Sequence, residues 1–90
     1  MAFELNIITP EKKVFPKEGA DGSVDSITCP GIDGFFGILS GHAPMVSALG
    51  DGVLTYSKDG SDTEVKISGG FLEVSNNVCS VMADSAETVS

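Results

Sequence analysis

Apolar and polar residues alternate with a period of two along much of the chain. Phe3, Leu5 and Ile7 are separated by Glu4 and Asn6. Ile27 and Cys29 flank Thr28, and Val65 and Ile67 are interleaved with Glu64, Lys66 and Ser68. Leu72 and Val74 flank Glu73, while Val81 and Ala83 continue the pattern from Val78. In an extended chain successive side chains point to opposite faces, so this spacing predicts strands with one buried face. Eleven glycines and four prolines punctuate the sequence closely. Segments as short as those they leave suit strands of ~5–6 residues better than helices of ~11–12. Asp59-Gly60 is expected to join strands near 53–58 and 63–68. Asn76-Asn77 is expected to join 70–75 to 78–84, since both pairs tolerate the positive φ of tight hairpins. Asp21-Gly22 and Asp51-Gly52 are further turn signals. One helical turn is expected over 43–49, with Pro44 near its start. Many short strands at even spacing predict an all-β fold, a flattened antiparallel sandwich or barrel. It should fill residues 1–84 as one domain, with 85–90 as a tail or a last edge strand.

Composition narrows the functional classes. A chain of 90 residues is a prior for one domain, with an expected radius of gyration near ~12 Å, too small to enclose a large cofactor. Thirteen acidic residues stand against five lysines and no arginine, a net charge of −8. Affinity for nucleic acid comes chiefly from neutralising phosphates, and bidentate phosphate clamps need guanidinium. Nucleic acid and anionic lipid surfaces are therefore excluded as direct partners. No apolar run approaches the ~20 residues of a spanning helix, and the N-terminus lacks a basic-then-apolar signal, so a soluble, cytosolic chain is expected.

The residues with chemical potential are few. Cys29 and Cys79 form no CxxC pair, and a zinc site built on them and His42 would have to be completed by carboxylates. Each sits among alternating apolar residues, which predicts a small buried hydrophobe. The segment Asp59–Glu64 fails the spacing of a calcium loop and is explained by a solvated hairpin tip. Ser40 and His42 could begin a hydrolytic triad, but no nucleophile elbow and no orienting acid accompany them. No catalytic, metal or cofactor-binding residue is predicted. The glycine-rich segment Gly31-Ile32-Asp33-Gly34-Phe35-Phe36-Gly37 lacks the lysine and hydroxyl of a phosphate loop and predicts a sharply bent turn. In extended geometry its adjacent phenylalanines face opposite ways, one inward and one available to a partner, unless local twist packs both inside. A small-ligand- or metal-binding sandwich remains the alternative on architecture alone.

The run Gly34-Phe35-Phe36-Gly37-Ile38-Leu39-Ser40-Gly41-His42-Ala43-Pro44 closely resembles the ε subunit family of F-type ATP synthases. The opening Phe3–Glu11, the strand at 24–28, Ile67-Ser68-Gly69-Gly70-Phe71-Leu72-Glu73-Val74 and Val81–Glu87 fit the same family in order. The resemblance implies a ten-stranded sandwich of two five-stranded sheets. It implies a non-catalytic central-stalk subunit, bound to the γ subunit and seated on the membrane c-ring, that couples proton flow to ATP synthesis. It implies peripheral attachment at the cytoplasmic face of a bacterial inner membrane, or at the stromal face of a thylakoid, with no cofactor or small-molecule substrate. Residue by residue, Gly31, Ile32, Asp33, Gly34 and Phe35 match the loop facing the c-ring, and Thr9, His42 and Ser47 match positions toward γ. The family often has an acidic residue where Phe35 stands and a proline in place of Ser40, so a more apolar ring contact and a looser loop are expected. Family members usually continue into a helical hairpin that can inhibit hydrolysis or bind ATP. The matching residues end before such a segment, and neither role is carried over.

Overall fold

The computed structural model describes residues 1–89; Ser90, the last residue of the expected tail, lies outside the described residues. The described residues form nine strands: β1 (Phe3–Ile8), β2 (Lys13–Phe15), β3 (Ser23–Val24), β4 (Ser26–Gly31), β5 (Gly34–Leu39), β6 (Met45–Leu49), β7 (Gly52–Lys58), β8 (Ser61–Ser75) and β9 (Val78–Thr88). The radius of gyration is 11.6 Å, as a single compact domain of this length requires.

Hydrogen bonding links the strands in one continuous ladder, and the long strands β8 and β9 divide it into two layers. The outer half of β8, Ser61–Ser68, lies between the end of β9, Ser85–Thr88, and β7, which pairs with β4, which pairs with β5. The inner halves of β8 and β9, running through Gly70–Ser75 and Val78–Ala83, lie between β6 and β1, and β1 carries β2 and β3 on its far side. The all-β sandwich expected from the sequence is what forms, with nine strands where the family resemblance implied ten. Segments expected as separate strands at 63–68 and 70–75 are one bent strand, and β9 runs on past residue 84 to Thr88. The sheet is also mixed, because β1 and β9 pair in parallel from Glu4↔Val78 to Ile8↔Met82.

The bend in β8 has a local cause. Gly69 and Gly70 take φ of +61° and +119°, a region open to glycine and costly for other residues. Before the bend Val65 and Ile67 are buried; after it Leu72 and Val74 are, so inward residues change from odd to even numbers. A Cβ on Gly70 would run into the Met82 carbonyl oxygen, so only glycine fits. Both predicted hairpins are present, with positive φ at Asp59, Gly60, Asn76 and Asn77. The predicted turn at Asp21 is closed by Ser23 N–H donating to Asp21 Oδ1 at 2.9 Å.

The expected helical turn over 43–49 is absent. Met45–Leu49 is strand β6, paired with β8 from Met45↔Val74 to Leu49↔Gly70. Met45, Ser47 and Leu49 alternate with Val46 and Ala48, and the ladder to β8 bonds one whole side of the strand, where an isolated helical turn would leave most of its backbone groups without partners. The core gathers Leu5, Ile7, Ile27, Ile38, Leu54, Leu72 and Val81 from both layers, together with both cysteines. Each fully buried Leu or Ile contributes about 1.5–3 kcal/mol.

Candidate functional site: two surfaces for partner contact

The β4–β5 hairpin presents the glycine-rich segment at its tip. Gly31 pairs with Gly34, leaving Ile32 and Asp33 as the two-residue turn. Gly34 has φ +128°, and a Cβ on Gly31 would meet the Gly34 carbonyl oxygen at 2.7 Å and the Phe36 ring at 2.9 Å. Two of the three evenly spaced glycines are thus required by the turn. The phenylalanines divide as extended geometry predicts: Phe35 is 67% exposed and Phe36 packs against the core. Ile32 is 68% exposed beside the exposed Asp33, so the tip is apolar with one carboxylate. Gly31 through Phe36, with Ser47 and Ala48 of β6, line an open groove of about 420 Å³.

The three residues matched toward a second partner occupy different settings. Thr9 is buried, and its hydroxyl is used within the β1–β2 turn. Thr9 Oγ1 accepts from the N–H of Glu11 at 3.3 Å and of Lys12 at 3.2 Å, and donates to the Lys12 carbonyl at 3.1 Å. His42 is half-buried, with Nδ1 2.7 Å from the Ala43 carbonyl oxygen. A carbonyl can only accept, so Nδ1 carries the proton. Ser47 is half-buried on β6 opposite Leu72, beside the hairpin tip. Thr9 follows the last residue of β1 and Ser47 lies on β6, with β9 and β8 between them. At ~4.8 Å per strand they stand roughly 14 Å apart. Ser40 and His42 make separate bonds. Ser40 Oγ reaches the Ala2 carbonyl at 3.4 Å, and the imidazole is held by Ala43.

A surface that the sequence motifs did not single out lies across the β1–β9–β8–β6 layer. Ile8 pairs with Met82, Met82 with Phe71, and Phe71 with Ala48, a row running straight across four strands. Cross-strand partners share a face. Ile8 is 40%, Met82 44% and Phe71 57% exposed, and Val46, next but one to Ala48 on β6, is 70% exposed. The signal was present in the alternation: Ile8 and Met82 sit at outward positions between buried neighbours, and Phe71 precedes buried Leu72, where a polar side chain is the norm. Asn77 was also missed. Its side chain accepts from Gly41 N–H at 2.9 Å and donates to the Ala2 carbonyl at 3.1 Å, anchoring the loop that carries His42.

Cys29 and Cys79 are free and fully buried. Both thiols are pushed up to about 12, Cys79 by burial and Cys29 by burial together with the lesser effect of nearby Cys79. Among the described residues no three His, Cys, Asp or Glu side chains come together as a metal site.

With the fold and both surfaces in view, comparison with known proteins decides the family. The β-sandwich domain of ATP synthase delta/epsilon chains matches residues 2–89. The chain belongs to that family. An ATP synthase epsilon chain of Symbiobacterium thermophilum is 48% identical over 83 residues, which cover 92% of this chain and 57% of that protein. One from Desulforamulus reducens is 47% identical over 83 residues, covering 92% and 59%. The chain thus spans about three fifths of the length of these curated relatives. Among solved structures, a chain of the Euglena gracilis mitochondrial ATP synthase, an assembly of OSCP, F1 and c-ring, superposes with a TM-score of 0.86 at 26% identity. The match covers 97% of this chain and 53% of that one. A chain of the Tetrahymena thermophila central stalk and c-ring shares the fold, with a TM-score of 0.74 at 17% identity.

Proposed function

We propose that the chain is a non-catalytic rotor piece of an F-type ATP synthase that joins the γ subunit to the membrane c-ring and passes torque between them. The observation that carries this reading is the apolar row Ile8–Met82–Phe71–Ala48, on a molecule with net charge −8. Contiguous exposed apolar area on a small acidic domain marks a protein contact. Two surfaces at different places give a coupling piece two attachments. The outer face of this layer is assigned to γ, with His42 reaching the same contact through its loop. Of the other two positions matched toward γ, Thr9 is buried and Ser47 shares the inner face with its partner Leu72, so they support that face from behind. The hairpin tip, Gly31 to Phe35, is assigned to the polar loops of the c-ring, with Ile32 and Phe35 as anchors. A sandwich braced by antiparallel ladders transmits force with little deformation. In this reading the domain acts peripherally at the membrane, on the cytoplasmic side in a bacterium, and needs no cofactor.

The test separates the two contacts. Ile32→Asp with Phe35→Asp should leave γ binding intact and reduce retention of the c-ring when the assembled complex is purified. Phe71→Glu with His42→Glu should do the reverse. If the c-ring is retained fully by the hairpin variant, and proton-driven ATP synthesis is unchanged, the assignment of the tip is wrong.

A further inference from the structure

Strand β5 is a sheet edge left without the usual guards. It pairs with β4 on one side only, in an unbroken register from Gly31↔Gly34 to Ser26↔Leu39. Alternate residues of such a strand leave N–H and C=O groups without partners on the free side. Proteins blunt these edges with short strands, charges, proline or bulges. Three other edges of this fold follow that rule, and β6, bonded to β4 only at its Leu49 end, is the shorter exception. β2 has three residues, flanked by Lys12 and Pro16 and containing Lys13; β3 has two, between Asp21 and Asp25; the end of β9 carries Asp84 and Glu87. β6 is tied to β4 where Leu49 meets Gly31 and Gly50 N–H donates to the Pro30 carbonyl at 2.9 Å. β5 has six residues with no charge and no proline, and displays Phe35 and Leu39 at 67% and 65% exposure.

Gly37 supplies a second, independent pointer. It lies on the outer face between Phe35 and Leu39, yet neither reason for a glycine applies. It is absent from the positive-φ residues, and a Cβ there would meet only the Ile27 carbonyl oxygen, at an ordinary 3.6 Å. The bare α-carbon leaves a slot between two large apolar side chains. An aromatic residue on a neighbouring strand fills such a slot.

We infer that β5 is completed in the assembled complex by an extended segment of a neighbouring subunit. The segment is uncharged and places an aromatic side chain opposite Gly37. The inference rests on the reading that the chain works inside a rotary assembly. Only an extended backbone satisfies the open row of peptide groups. The segment is uncharged because the stretch from Gly34 to Gly50 offers no ionic partner beyond His42, and a charge desolvated there would go unpaired. A second copy of this chain fits less well. Antiparallel self-pairing about Gly37 sets glycine against glycine and leaves the slot empty. Six residues of edge alone also fall short of the ~800 Å² per partner of a stable interface, between molecules of net charge −8 each. A subunit already bound elsewhere on the domain supplies the strand at high effective concentration.

Residue-resolved hydrogen exchange on the free chain and on the chain within its purified ATP synthase complex tests this. Three alternating β5 amides, open in the free chain, should slow by about tenfold or more on assembly, while the alternate three, already bonded to β4, change little. Leu39→Lys should leave the thermal midpoint of the free chain unchanged and abolish that alternating protection, even where the variant still assembles. Assembly with unaltered β5 exchange overturns the inference and leaves the proposed function standing. Failure to assemble overturns both. A uniform slowing of all six amides, or a β5-paired dimer of the free chain, also overturns it.

Discussion

Thr9 shows how a position matched to a partner contact can be occupied by the fold itself. Its hydroxyl closes the β1–β2 turn through three hydrogen bonds. Thr9→Val keeps the shape and removes all three, leaving two N–H groups without that acceptor. The expected cost is about 1–2 kcal/mol, a fall of roughly 4–15 °C in thermal midpoint for a domain of this size, checked by calorimetry. The cysteines offer a pH signature. Both thiols are held at about 12 against a usual 9. Between those values the folded state holds protons that the unfolded state releases, so stability is intact below pH 9 and declines as pH rises through 9 toward 12. Urea midpoints taken at intervals from pH 8 to 11 should fall steadily above pH 9. In a Cys29→Ala, Cys79→Ala variant, less stable at neutral pH because of the cavities, that alkaline slope should flatten. Neither thiol should react with an alkylating reagent at pH 8 until the chain unfolds.

At the scale of elements, alternation located β1 and β4, and turn chemistry located β7 and both two-residue hairpins, because both signals are local. What alternation could not show is continuity across Gly69-Gly70. A double glycine signals a break as readily as a bend, and only the Met82 carbonyl packed where a Cβ would sit distinguishes them. β6 was mistaken for a helical turn because Pro44 suits a helix start, while its true partner, β8, lies some twenty-five residues away. The candidate surfaces follow the same division. The hairpin tip was legible as a local motif, whereas the apolar row draws one residue from each of four strands and exists only once they pair. Gly70→Ala should prevent folding or cost more than about 3 kcal/mol, since two strands must separate to admit the methyl group. Gly60→Ala, with φ +81° but nothing within 4 Å of the added Cβ, should cost only about 1 kcal/mol. Denaturant titration of the two variants side by side checks the contrast.

For the whole molecule, charge and apolar surface are segregated. Residues 34–50 carry no charged side chain apart from His42, and the row through Phe71 crosses the layer to which β6 belongs. A contact centred on that row excludes water over apolar side chains and meets one carboxylate at its rim, Glu73, which pairs with Val46 on the same face. Association with γ should therefore depend only modestly on salt, whose screening acts within ~10 Å at 0.1 M. The absence of arginine and the −8 charge likewise fit a domain that touches proteins and leaves phosphate chemistry to other chains. The central claim is that this sheet face holds γ, and calorimetric titration of the folded chain with purified γ tests it most directly. Phe71→Glu with Met82→Glu should keep the native melting transition and weaken γ binding by roughly thirtyfold or more, the effect of losing a central interface anchor. Native melting with unchanged affinity for γ would contradict the account.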